Sequence, residues 1–209
     1  MQAKVKAHGA ASEMRAATRM ERLREATRLV HARLETTLAL VQPGLTASRY
    51  LHILEAFYGY YAPLEPLSMR AVAQDGAALA LDLRVKAPLL EADLSTLGRT
   101  RAQIDELPRC KDLPCVAQRS QALGALYVME GATLGGQIIG RYLRDHLGID
   151  AGSGAGFFAG YGVETRARWL QFSRHVDGAA DIDTELLLAA AVSTFERLER
   201  WLDVASTRS

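Results

Sequence analysis

From about Asp112 to Gly148 apolar residues recur at helical spacing, and Gly124, Gly131, Gly135, Gly136 and Gly140 all fall inside that stretch. A glycine in a helix interior costs about 1 kcal/mol relative to alanine, so the set costs roughly 5 kcal/mol, comparable to the net stability of a small domain. Contacts that a Cβ would forbid must offset that cost. Two physical causes are available: a second helix packed backbone to backbone against the small residues, or a flat ligand lying closer to the helix axis than a side chain allows. Gly131 and Gly135 are one turn apart, as are Gly136 and Gly140, and a kink is expected at Gly135-Gly136. Phosphate binding does not account for them. Gly131 to Gly136 has P-loop spacing, but Gln137-Ile138 stand where Lys and Ser/Thr are required and no strand precedes.

The remainder of the chain is also helical in pattern, with no run of alternating β-branched residues bounded by turn signals. The fold class expected is all-α, as one domain over residues 15–209 behind a flexible N-terminal segment, 1–14. A first helix runs from about Arg15 to Val41, with Leu23, Thr27, Val30, Leu34, Leu38 and Val41 on one stripe, and stops at Pro43-Gly44. A second starts near Ser48 and is broken or bent by Pro63 and Pro66. Shorter helices fill the middle to Leu107, and Thr100 with Gln103 forms a capping box. The glycine helix begins near Asp112-Leu113-Pro114 and ends at Gly148. Residues 151–162 form a glycine-rich loop, a short helix follows from about Val163 to His175, and Asp181 or Asp183 caps the last one.

Lys and Arg number 25 against 24 Asp and Glu, a formal net charge of +1, which argues against a general nucleic-acid binder. Cys110 and Cys115 are spaced too widely for a CxxC pair and have no second pair to complete a zinc site. With no apolar leader and no stretch long enough to span a bilayer, the expected compartment is a reducing cytoplasm.

His31 lies on the first stripe, and Glu35 is at i+4, where its carboxylate can accept a hydrogen bond from one imidazole nitrogen and raise the basicity of the other. One protein ligand does not hold zinc. It does suffice for haem iron, because the porphyrin supplies the four equatorial nitrogens. Arg24 and Arg28 precede His31 on the same side of the helix, where guanidinium groups can clamp the propionates at a haem edge. The other arginines between Arg15 and Arg33 read as a solvated face.

With Leu23 to Glu35, the segment Phe57-Tyr58-Gly59-Tyr60-Tyr61-Ala62-Pro63-Leu64-Glu65, and Leu123 through Gly131 to Gly135-Gly136-Gln137, the chain resembles the bacterial haem oxygenases. Phe157-Phe158-Ala159-Gly160-Tyr161-Gly162 adds a likeness to the type that supplies biliverdin to bacteriophytochromes. The resemblance implies haem b, both cofactor and substrate, held between a proximal helix bearing His31 as axial ligand and a kinked distal helix. It implies that the backbone at Gly131, Gly135 and Gly136 lies against the haem, O2 and ordered water. It also suggests Arg174 as a propionate partner and Phe195 as a pocket wall, each with an ordinary surface or core role as the alternative. The implied reaction opens the ring to biliverdin with release of CO and ferrous iron, using O2 and electrons from an external donor, a ferredoxin or flavin reductase. One position departs from the animal enzymes: Ala132 stands where they carry an Asp that orders proton-delivering water. A non-catalytic haem carrier on the same fold, and an all-α interaction domain, therefore stand as alternatives.

Overall fold

The computed structural model describes residues 16–206. The expected flexible segment 1–14, and Arg15 at the start of the expected first helix, lie outside the described residues. Within them the chain is all-α, and no helix is long and apolar enough to cross a membrane.

Helix α1 (Arg19–Leu38) starts at a capping box in which the Thr18 hydroxyl accepts from Glu21 N and the Glu21 carboxylate accepts from Thr18 N. It buries Leu23, Thr27, Val30 and Leu34, while Val41 is exposed beyond its end. The helix stops earlier than Pro43-Gly44 because Ala39 adopts φ 48° and its N–H bonds to Glu35 O at 3.1 Å, a left-handed closure.

Helix α2 (Ala47–Ala71), expected to break or bend at Pro63 and Pro66, does not break; it runs through both. Pro63 has no N–H to give the Gly59 carbonyl, four residues back, and Cys110 N supplies the missing donor at 2.9 Å. The same docking explains why the glycine helix starts late. Residues 107–118 lie across α2 as irregular chain, Gly59 having no Cβ where Pro108 O and the Trp201 ring pass.

A middle group follows: α3 (Gly76–Leu79), α4 (Ala87–Thr96, with Pro88 in its first turn) and α5 (Arg101–Glu106), the last opening at the predicted Thr100/Gln103 capping box. The glycine helix, α6 (Arg119–Leu147), begins at Gln118 and not near Pro114, and closes at Gly148 with φ 68° as its position predicted. Within the expected glycine loop lies a short helix, α7 (Gly156–Ala159). Its capping group comes from α4: the Asp93 carboxylate accepts from Gly156 N at 2.8 Å and Phe157 N at 2.7 Å. Helix α8 (Thr165–Gly178) and helix α9 (Thr184–Ser206) complete the chain, and Asp183 accepts from Leu186 N at 3.1 Å at the start of α9.

Helix α9 packs against both α1 and α6, α2 packs against α4, α6 and α9, and α7 seats on α6. One apolar core joins them. Three of the α1 arginines also tie helices together, while Arg22 and Arg33 stay exposed to solvent as expected. Arg19 donates to Val176 O, Asp177 O and Ala179 O at the end of α8, Arg22 pairs with Glu185 at 2.7 Å, and Arg33 pairs with Glu199 at 3.1 Å.

Candidate functional site

A narrow cleft opens between α1 and α6, with about 560 Å³ between its walls, counting the part open to solvent. His31, Leu34, Glu35 and Leu38 line it from α1, and Val128, Gly131, Ala132, Gly135 and Ile139 from α6. Phe57 and Tyr61 of α2, Phe158 of α7, and Phe195 with Leu198 of α9 close the remaining sides. Thus His31, Glu35, Gly131, Gly135 and Phe195, predicted from three separate stretches of sequence, come together in one space.

Four of the five helical glycines divide according to the two physical causes; a Cβ at Gly140 would meet nothing within 4 Å, and Gly140 does not line the cleft. A Cβ at Gly124 would meet the Leu187 carbonyl oxygen on α9, and one at Gly136 would meet the Phe158 carbonyl oxygen on α7, so these two permit close packing. A Cβ at Gly131 or Gly135 would meet nothing within 4 Å. Their bare backbone faces the open cleft. Gly136, expected beside the ligand, is instead buried against α7 and does not line the cleft.

His31 is 52% exposed in its side chain, at the edge of the α1 stripe and not inside it. Its ring meets Phe195 edge to face, centroids 5.4 Å apart at 87°, which limits the rotation of the imidazole. Glu35 Oε2 lies 3.7 Å from His31 Nδ1, longer than the expected hydrogen bond, so in the free protein His31 has a ring contact with Phe195 and no hydrogen bond to Glu35. Among the described residues no group of three or more His, Cys, Asp and Glu is placed to hold a bare metal ion. A lone imidazole on one wall of a largely apolar cleft, with bare glycine backbone on the other, suits an iron that arrives with its other ligands attached, so the residues present fit haem.

Arg24 and Arg28 are exposed on α1, and neither lines the cleft. Arg28 contacts Glu25 at 3.5 Å, whereas Arg24 forms no ion pair among the described residues and its charge acts on Tyr127. Burial pushes the Tyr127 phenol upward, against the opposing pull of Thr27 and Arg24. Arg174 is exposed on α8, outside the cleft lining. Ala132 faces the cleft with no polar group. Tyr61 lines the cleft and is 1% exposed. Burial, with the charges of Glu65 and Glu130 nearby, raises its phenol well above the ordinary value and keeps it protonated.

Sequence reasoning missed a buried ionic cluster adjoining Gly131. Arg84, Lys86 and Glu130 have side chains that are 0%, 1% and 1% exposed, and Glu130 pairs with both cations and with Tyr161. The available signal was local: Glu65 and Glu130 each interrupt an otherwise apolar run, and Arg84 and Lys86 alternate with Leu83 and Val85.

A family model described as "Heme oxygenase" matches residues 17–203. Among solved structures, the NO- and CO-bound heme oxygenase from Neisseria meningitidis matches with a TM-score of 0.76 at 19% identity, covering 91% of this chain and 92% of that one. Heme oxygenase from Leptospira interrogans gives 0.68 at 19% identity, covering 90% and 100%. Heme oxygenase-1 from the cyanobacterium Synechocystis sp. PCC6803, in complex with heme, gives 0.67 at 15% identity, covering 92% and 94%. No curated protein matches the sequence.

Proposed function

Since the chain belongs to the haem oxygenase family, we propose that it binds haem b in the cleft between α1 and α6 and opens the ring to biliverdin, CO and ferrous iron. One observation carries this reading: His31 and the bare Gly131–Gly135 backbone lie on opposite walls of a single cleft.

Bound haem would supply the redox-active iron and the macrocycle that is consumed. His31 would hold that iron through its imidazole, whose ring is set against Phe195. Across the cleft, Gly131 and Gly135 admit the flat ring and offer peptide groups where side chains would exclude it. Leu34, Phe57 and Phe158 keep the interior apolar and limit entry of bulk water. With Ala132 lacking a carboxylate, the protonated Tyr61 hydroxyl is the cleft's own group for ordering a water. Arg24 and Arg28 supply positive charge at the α1 edge for the propionates, and Arg174 is assigned the same role from α8. An external ferredoxin or flavin reductase delivers electrons at this basic edge, and the product goes to a bacteriophytochrome. Free Cys110 and Cys115 accord with action in the cytoplasm.

Haemin added to the purified protein tests the reading. A histidine-ligated Soret band that His31→Ala shifts or weakens is expected, followed by a bilin spectrum when reductant is added under air. Absence of binding sinks the proposal. Stable binding without ring opening selects the second reading, a haem carrier, which Ala132 in the cleft favours.

A further inference from the structure

Glu130 immediately precedes Gly131 on α6, yet its carboxylate does not line the cleft; it lies in a buried cluster. Arg84 Nη1 donates to Glu130 Oε2, Lys86 Nζ donates to Oε1 at 3.0 Å, and the Tyr161 hydroxyl donates to Oε1 at 2.7 Å. Lys86 Nζ also donates to the Tyr161 oxygen at 2.6 Å, and Glu65 accepts from the backbone N–H groups of Lys86 and Ala87. Arg84 further donates to Leu79 O at 2.6 Å and Gln171 Oε1 at 3.2 Å, so α3, α6 and α8 meet at one guanidinium.

Taking these charges out of water is costly, and apolar residues of similar volume would stabilise a fold as well or better. Global stability alone does not account for the cluster. Directional hydrogen bonds do what apolar packing does poorly, which is to fix one group at one position. That requirement arises here because Gly131 and Gly135 have no side chains to pack on the cleft side, and glycine backbone is the most easily deformed. The helix must be held from elsewhere. The same stretch is gripped twice more from the α7 region. Gly160, at φ 56°, sits where a Cβ would press on Thr133, and Gly136 abuts the Phe158 carbonyl.

We propose that Glu130, held by Arg84, Lys86 and Tyr161, is a positioning residue that fixes the Gly131–Gly135 backbone as one wall of the cleft. The consequence for ligand binding rests on the haem reading above; the positioning itself does not.

Two variants test it, Tyr161→Phe, which removes one donor, and Glu130→Gln, which keeps the shape and removes the charge. Should Glu130→Gln fail to fold, Tyr161→Phe carries the test. In the ligand-free protein, amide hydrogen exchange at residues 131–136 should quicken by about tenfold or more relative to residues 119–127 of the same helix. In the haemin-loaded protein, the Soret band should shift and affinity should fall severalfold, with His31 untouched. Exchange that rises uniformly along α6 in step with the thermal midpoint would overturn the proposal, as would an unaltered exchange pattern. Local quickening with an unchanged Soret band and affinity would overturn the link to the ligand. If the unmodified protein takes up no haemin, the haem reading fails and the exchange pattern alone decides the positioning role.

Discussion

Ser68 of α2 is buried, and its hydroxyl is the one side-chain polar atom among the described residues that is buried without a hydrogen-bond partner. An unpaired buried donor carries its desolvation penalty uncompensated, so Ser68→Ala should raise stability by about 1 kcal/mol, read as a higher midpoint in urea. Asp75 shows the opposite situation. Burial alone would push its carboxyl up, but the Arg119 guanidinium, at 2.7 Å and 2.9 Å, and His175 Nε2, at 3.0 Å, outweigh burial and hold it below the ordinary value. A carboxyl lowered by folding contributes stability that is complete above the unfolded value, about pH 3.9, and is lost as pH falls through the folded one. Asp75→Asn should therefore cost about 2 kcal/mol near neutral pH and flatten the acid limb of a stability profile measured by urea unfolding from pH 7 downward. The sequence shows Asp75, Arg119 and His175 as three unrelated polar residues. Only folding makes them a unit, because they come from a turn before α3, the start of α6 and the end of α8.

Within α6, five glycines that look alike in sequence acquire different roles from what faces each one. Gly131→Ala and Gly135→Ala add a methyl to open space, so each should stabilise the free protein by up to about 1 kcal/mol while weakening haemin binding. Gly124→Ala and Gly136→Ala drive a methyl into a backbone carbonyl of α9 or α7, and each should destabilise by about 2 kcal/mol. Thermal melts of the four variants with and without haemin separate the pairs; equal effects across all four would refute the division. Other elements were legible where their signals are local, as with the capping box at Thr100/Gln103 and the Gly148 terminus. The errors came from partners distant in sequence. Cys110 N takes over the carbonyl that Pro63 leaves free, so α2 continues, and Asp93 caps α7, so residues inside an expected loop become helical.

At the scale of the molecule, α9 is the element that makes a cleft out of two walls, since it packs on α1 and α6 together and contributes Phe195 and Leu198 to the lining. Ligand binding to this folded arrangement alone should raise the melting temperature. Haemin at one hundred times its dissociation constant adds about 2.7 kcal/mol, which is about 5–10 °C for a chain of this size. The shift should shrink in His31→Ala, and a shift of equal size in that variant would remove His31 as the ligand. The sequence by itself determined the all-α class, the α1 stripe, and a helix whose glycines needed a cause, because periodicity, capping and propensity act within a few residues. Only the tertiary structure decided which glycines face the cleft and which face a neighbouring helix, that Phe195 meets His31, and that Glu130 is held by Arg84, Lys86 and Tyr161. Those outcomes depend on which surfaces meet, and burial and electrostatics take their values from neighbours that the order of residues along the chain does not specify.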